Sequence, residues 1–208
     1  MIIEVCAESY EYAIKAEKAG ADRIELCRDL HLDGLTPDYL SAKKTVNKLN
    51  IPVYILIRPR EGDFIYSDDE FELMKSDIVK FKEMGCKGIV SGILNDDNSI
   101  DMKRTKQLVE LSRPLEFTFH RAFDIVTNTL KELEKLIELG VDRVLTSGQK
   151  NKAIDGLELL KKFKNISKNR IKIMPGSGIN KSNIVNFRSF EEIHGSFKND
   201  SNLNFKNV

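Results

Sequence analysis

Lys18-Ala19-Gly20-Ala21-Asp22-Arg23-Ile24-Glu25-Leu26-Cys27 reads as the end of a helix running into a strand. Gly20 suits the left-handed position that closes a helix, two residues follow, and an alternating apolar run begins. The pattern returns in Glu83-Met84-Gly85-Cys86-Lys87-Gly88-Ile89-Val90 and in Glu138-Leu139-Gly140-Val141-Asp142-Arg143-Val144-Leu145. One αβ junction met three times at long spacing implies a chain of repeated βα units. Upstream, Ile2-Ile3-Glu4-Val5-Cys6 has the same alternation as Arg23-Ile24-Glu25-Leu26-Cys27. Glu4 and Cys6 share one strand face, as do Glu25 and Cys27, with the apolar residues opposite. A helix over residues 9–19 joins the two strands, and strand–helix–strand units run parallel. The apolar faces belong under helices, so the Glu/Cys faces point into the middle of the molecule, at matched depth.

Extending the reading outward, further strands fall at residues 53–58, 88–91, 115–120, 143–146, 171–174 and 191–194. Helices are expected over 37–48, 68–84, 101–111, 128–139 and 153–163. The connection 180–188 has few good helix formers. The polar tail, from about residue 196 to 208, looks too weak for an eighth helix. Eight strands with about seven crossovers predict a compact TIM-like (β/α)8 barrel with a shortened C-terminal region, occupying residues 1–208 as one domain. The alternative is an open doubly wound sheet. It is disfavoured because no G-x-G-x-x-G follows the first strand, and because several strands carry polar residues at their C-terminal ends.

Composition narrows the function classes. With 33 basic and 32 acidic residues the net charge is +1, which leaves no electrostatic footprint for nucleic acid or an anionic membrane. No apolar run is long enough to span a bilayer and no secretory leader is recognisable, so a cytoplasmic location is expected. Three cysteines do not form a disulfide framework, so Cys6, Cys27 and Cys86 are expected as reduced thiols.

Glu4 and Glu25 suit general acid/base work or cation binding if their surroundings split their pKa values. The plainer reading is that both are salt-bridged by Arg58, which continues the inward phase of Tyr54 and Leu56. Arg58 is otherwise placed to clamp a carboxylate or phosphate. On the fifth strand Glu116, Thr118 and His120 alternate with Phe117 and Phe119. His120 therefore faces inward as an acid, base or metal ligand, with Asp124 or Arg121 to orient it. Ser147 and Gly148 after the sixth strand, with Gly176, Ser177 and Gly178 after the seventh, form Gly-rich loops where barrels hold anions. Cys6 and Cys27 lack a C-x-x-C partner. Taken alone they read more readily as small buried residues, although two sulfurs on neighbouring strands suit Cu(I) better than Zn(II).

These stretches resemble the CutC copper homeostasis protein family over nearly the whole length. The resemblance is carried by Glu4-Val5-Cys6, the quoted junction through Cys27, Gly34-Leu35-Thr36-Pro37, and Ile57-Arg58-Pro59-Arg60-Glu61-Gly62-Asp63-Phe64-Ile65-Tyr66-Ser67. Thr118-Phe119-His120-Arg121-Ala122-Phe123-Asp124, the 139–148 junction and Met174-Pro175-Gly176-Ser177-Gly178-Ile179 complete it. It implies a TIM-like barrel in the cytoplasm, a homodimer or higher oligomer, and Cys6 and Cys27 as ligands of Cu(I). Asp33-Gly34 and Pro175-Gly176-Ser177-Gly178 depart from the family's Gly-Gly and Pro-Gly-Gly-Gly, and the tail is shorter than usual. Two functions are carried forward: copper binding, or an enzyme in which Glu4, Glu25, Arg58 and His120 act on a small anionic or phosphorylated molecule.

Overall fold

In the computed structural model, residues 1–198 and 204–205 are described. Eight parallel strands form a nearly closed barrel: β1 (Ile2–Ala7), β2 (Arg23–Leu26), β3 (Val53–Leu56), β4 (Gly88–Ser91), β5 (Glu116–Phe119), β6 (Arg143–Thr146), β7 (Lys172–Pro175) and β8 (Glu192–Gly195). The hydrogen-bonded order runs from β7 down to β1 and then to β8. This is the TIM-barrel architecture. Among the described residues six helices pack outside: α1 (Tyr10–Lys18), α2 (Tyr39–Lys48), α3 (Asp68–Met84), α4 (Met102–Ser112), α5 (Thr129–Glu138) and α6 (Leu157–Ser167). Between β7 and β8 the chain makes only a 3-10 turn, Ile184–Phe187. Phe205 returns to the body of the protein, its N–H donating to Ala19 O at 2.7 Å and its ring lying 4.9 Å from that of Phe197. The rest of the tail lies outside the described residues.

The repeated junction has a common physical basis. Gly20, Gly85 and Gly140 all hold positive φ, 95°, 97° and 71°, where a side chain would be strained. In two of the three copies an Asp-Arg pair follows. Asp22 accepts from the Ile3 N–H at 2.8 Å and Asp142 from the Phe117 N–H at 2.7 Å, so each Asp ties down the start of the preceding strand. Each Arg, Arg23 or Arg143, then points into the barrel. The third copy has Gly88 in the Arg position, because the Tyr54 ring fills that space: a Cβ on Gly88 would stand 2.4 Å from it.

The helices are fixed mainly by burial of one face, with local caps at their starts. Ser67 and Glu70 form a reciprocal capping box on α3, worth about 1 kcal/mol. α6 begins four residues later than the apolar spacing suggests. Residues 152–156 are spent on turns, and Gly156 lies so close to Ser147 that a Cβ would stand 2.0 Å from its carbonyl oxygen. Strand three gives up its ladder near Pro59: Ile57 N–H still donates to Val90 O, but Arg58 N–H turns to Thr36 Oγ1 at 2.8 Å.

Register corrects one expectation. Glu4 pairs with Arg23 and Cys6 with Glu25, so Glu25 stands one inward layer above Glu4, not level with it. The stagger needed to close a barrel produces this offset.

Candidate functional site

The interior is polar at both ends, and the ends differ. At the foot, where the strands begin, Arg23 Nε meets Glu4 Oε2 at 2.5 Å and its Nη2 meets Glu192 Oε2 at 2.6 Å. Arg143 donates to Glu192, to Glu116 at 2.9 Å and to Thr118 Oγ1 at 3.1 Å. The Tyr54 hydroxyl donates to Glu116, and its ring lies against both guanidinium groups, 4.7 Å from Arg23 and 5.4 Å from Arg143. Lys172 reaches Glu192 at 3.3 Å across the seam between β7 and β8. Buried charges survive in a fold when paired and hydrogen-bonded, and these are.

Above the foot, His194 on β8 donates from Nδ1 to Glu4 Oε1 at 2.7 Å and stands 3.9 Å from Glu25 Oε2. Burial opposes ionisation of Glu4, but Arg23 and His194 outweigh it and hold the carboxyl well below its usual range. Burial also disfavours charge on His194, but the carboxyls of Glu25 and Glu4 raise its pKa instead. Glu25 has no such strong partner, and burial lifts it to about 7 despite His194 nearby.

Glu25 sits on the floor of a cavity of about 430 Å³ that opens at the C-terminal ends of the strands. Cys6, His194, Arg58, Phe64 and His120 line it too. Cys6 Sγ lies 3.6 Å from Cys27 Sγ and 3.7 Å from Glu25 Oε1. Its thiol pKa is pushed up by the contact with Cys27 and by burial. His120 Nδ1 accepts the Ala122 N–H at 3.2 Å, which leaves the Nε2–H tautomer. Burial, with Arg58 close by, lowers the His120 pKa to about 3, so the ring is neutral at ordinary pH. Glu25 Oε2, Arg58 Nε and His120 Nε2 are buried with no hydrogen-bond partner among the described residues.

Cys6, Glu25, Arg58 and His120 thus meet at one cavity, while Cys27 lies directly behind Cys6. Glu4 stands a layer below, locked in the ion network. Arg58 is the salt-bridge partner of neither glutamate. Its Nη1 donates to the Leu32 and Gly34 carbonyls at 2.7 and 2.9 Å, and its Nη2 to the Gly62 carbonyl at 3.0 Å. Asp124 does not orient His120. Its carboxylate accepts from Thr146 Oγ1 at 2.6 Å, from the Ser147 N–H at 2.9 Å and from Arg121 Nε at 2.9 Å. The Gly148 N–H goes to Thr146 Oγ1 and the Gly176 N–H to Thr146 O, both at 3.0 Å. An internal carboxylate therefore fills the place after β6 where an external anion was expected. Of that loop set, Ser177 stands on the cavity wall.

Sequence reasoning missed Arg23, Arg143, Glu192 and His194. The signal was present: Glu192 and His194 alternate on β8 as Glu4 and Cys6 do on β1, and the Asp-Arg repeat marks both arginines.

The CutC family profile matches residues 1–199. The human protein described as a copper homeostasis protein cutC homolog is 44% identical over 211 residues, covering 99% of this chain and 77% of that protein. A CutC family protein of Photorhabdus laumondii is 45% identical over 196 residues, 93% of this chain and 79% of its own length. A crystal structure from Streptococcus agalactiae, also described as a copper homeostasis protein CutC, superposes with a TM-score of 0.89 at 32% identity, covering 94% of this chain and 98% of the other.

Proposed function

This chain belongs to the CutC family, and we propose that it serves copper homeostasis in the cytoplasm by binding Cu(I) between Cys6 and Cys27. The observation that carries the reading is the sulfur pair, 3.6 Å apart, with Cys6 lining the cavity and Cys27 directly behind it. Metal–sulfur bonds of about 2.3 Å let two sulfurs on one ion stand at most about 4.6 Å apart, so the pair is within reach of a single ion. Two thiolates with no third strong sulfur ligand suit a soft monovalent ion. Both thiols are free and buried, and the raised pKa of Cys6 means that the ion must displace a proton to bind. Affinity should therefore climb with pH. A Cu(I) titration against a chelator of known affinity tests this, on the native chain and on Cys6→Ser/Cys27→Ser. A tight one-to-one site lost in the double variant is the expected result. Binding indifferent to the cysteines removes copper from these residues.

A second reading rests on a different observation, the cavity itself, which is far larger than one ion needs. Glu25 near neutral pKa is suited to give and take a proton, and neutral His120 is suited to donate a hydrogen bond from Nε2. In this enzyme reading Glu25 is the acid/base, His120 and Arg58 hold a small molecule, and the Ser177-Gly178 loop receives any anionic group it carries. Glu4 keeps His194 in place. Loss of a cellular phenotype in Glu25→Gln, with Cys6→Ser/Cys27→Ser silent, would select this reading over copper. The proposal extends to a homodimer or higher oligomer. Tyr39 and Leu40 on α2, with Leu73 and Val79 on α3, expose apolar surface for such contact, and sedimentation velocity decides it.

A further inference from the structure

We propose that Cys6, Glu25 and His194 form a binding site for a borderline divalent cation of the Zn(II) class, with one coordination position open to the cavity. The site goes beyond the copper reading and does not depend on it. The two share Cys6 and part at Cys27 on one side and at Glu25 and His194 on the other.

One ligand atom from each of the three residues lies within 4.8 Å of the other two. The set is a thiol, a carboxylate and an imidazole. Cu(I) selects sulfur, whereas a mixed S/O/N set is the donor chemistry of Zn(II) and its neighbours. Three strands supply the ligands, β1, β2 and β8, which are hydrogen-bonded side by side, so the barrel wall fixes their spacing. Cys6 is the Cα partner of Glu25, which places those two ligands at one height.

Two further observations point at a ligand independently of that proximity. Glu25 Oε2 is buried at the cavity floor with no hydrogen-bond partner among the described residues. An acceptor kept dry and unpaired costs free energy unless something occupies it. His194 is anchored from behind by Glu4, whose Oε1 takes the Nδ1 proton at 2.7 Å. A carboxylate behind a histidine, fixing its ring and raising its basicity, is the outer arrangement found at metal-bound imidazoles. Glu4 is itself held by Arg23, so the relay runs on into the ion network at the foot of the barrel.

Three protein ligands leave a tetrahedral ion one position short, the hallmark of a reactive rather than a structural zinc site. Here that position faces a cavity of about 430 Å³ that Arg58 and His120 also line. An ion there would bind an exchangeable water or a donor atom of a small molecule. Binding releases to solvent the Cys6 thiol proton and any proton carried by the Glu25 carboxyl or His194 Nε2, keeps the Nδ1 proton between His194 and Glu4, and changes no oxidation state.

The experiment uses the full chain stripped of metal. Zn(II) is titrated against a chelating indicator, and Co(II) is followed by its thiolate charge-transfer and tetrahedral d–d absorption. The native chain should bind one equivalent, with a sulfur-to-cobalt band. Cys6→Ser should abolish that band, and Glu25→Gln and His194→Gln should each weaken Zn(II) by at least about tenfold. Cys27→Ser should keep both the band and the Zn(II) affinity. Circular dichroism of each metal-free variant reports folding. If a Glu25 or His194 variant does not fold, the Cys27→Ser chain still decides, because a site between the two sulfurs would lose its ion there. The proposal is overturned if the native chain binds no Zn(II) or Co(II). It is equally overturned if Cys27→Ser loses them, or if a folded Glu25→Gln binds them as tightly as the native chain. A negative Cu(I) titration leaves it standing, and a positive one does not establish it.

Discussion

The foot and the mouth of this barrel are both charged and both buried, yet they follow opposite rules. At the foot Arg23 and Arg143 share Glu192, and Glu4, Glu116 and Tyr54 complete a network whose groups answer one another. At the mouth Glu25, Arg58 and His120 each keep a buried polar atom with no hydrogen-bond partner among the described residues. Saturated polarity specifies and holds a fold; unsaturated polarity over a cavity has to answer to something that arrives. Buried charge alone therefore does not mark a site in this protein. What marks it is buried charge left without a partner.

The comparison is broken most severely at the foot. Arg143→Met keeps the bulk of the side chain and removes its charge, leaving Glu192 to Arg23 and Lys172 alone and Glu116 to Tyr54 and Lys172. Removing one partner of a buried ion network costs about 3–5 kcal/mol. Thermal or urea unfolding should show that loss. A variant as stable as the native chain would mean the foot is not what holds the barrel together.

Glu25→Gln should behave in the opposite sense. Glu25 has a pKa raised to about 7 by burial, against the ordinary carboxylate value of 4.5. Its protonated form is the one the fold tolerates. Its stabilising contribution is fully present below about pH 4.5 and is lost as the pH rises toward and through 7. Relative to the native chain, Glu25→Gln should gain stability across that window and level off above it, by up to about 3 kcal/mol. A difference that stays flat from pH 4.5 to 8 would remove Glu25 from the set of strained groups. Glu4 carries the reverse sign: its pKa is depressed, so its contribution is present above the ordinary carboxylate value and fades only as the pH falls through its own low value.

How far the sequence carried depended on how local each signal was. The barrel was legible because its junction is written three times: a positive-φ Gly, a short link and an alternating strand need no distant partner to be read. Inward Glu4, Cys6, Glu25 and Arg58 were legible from period two. Pairing was not. Glu4 finds Arg23 and His194 rather than Arg58, because register and stagger, not alternation, choose the neighbour. Asp124 was misread for the same reason. Four residues from His120 in the chain, it turns instead to β6 and takes up Thr146 and Ser147.

Asp124 makes a finer test of the same contrast. Asp124→Ala empties the seat of a carboxylate that holds Thr146, two Ser147 groups and Arg121. Charge-assisted bonds of this kind contribute more than neutral ones, and about 2 kcal/mol should be lost. The vacated amides, the Ser147 N–H and the Gln149 N–H that also donates to Asp124 at 3.2 Å, would form the anion site that the native chain fills internally, so phosphate should raise the melting temperature of the variant more than that of the native protein. Equal phosphate effects would show that Asp124 is not standing where an anion fits.

The smallest change is expected at His120, which makes it a sharp probe of the mouth. The residue begins a 3-10 turn and its Nδ1 accepts the Ala122 N–H, a capping duty that Asn performs well. His120→Asn therefore keeps the cap and removes only the ring that packs 4.9 Å from Phe64 and the unpaired Nε2. The lost ring packing and the released polar burial oppose each other, so stability should move by about 1 kcal/mol or less. At pH 7 and above the change should be flat, but as the pH falls toward 5 the variant should gain on the native chain, because the folded ring, with a pKa near 3, stays neutral while the unfolded chain's histidine takes up a proton below about 6.5. A drop as large as that of Arg143→Met would place His120 among the groups that hold the fold. The division between a foot that stabilises and a mouth that receives would then fail at the residue where it predicts the least effect.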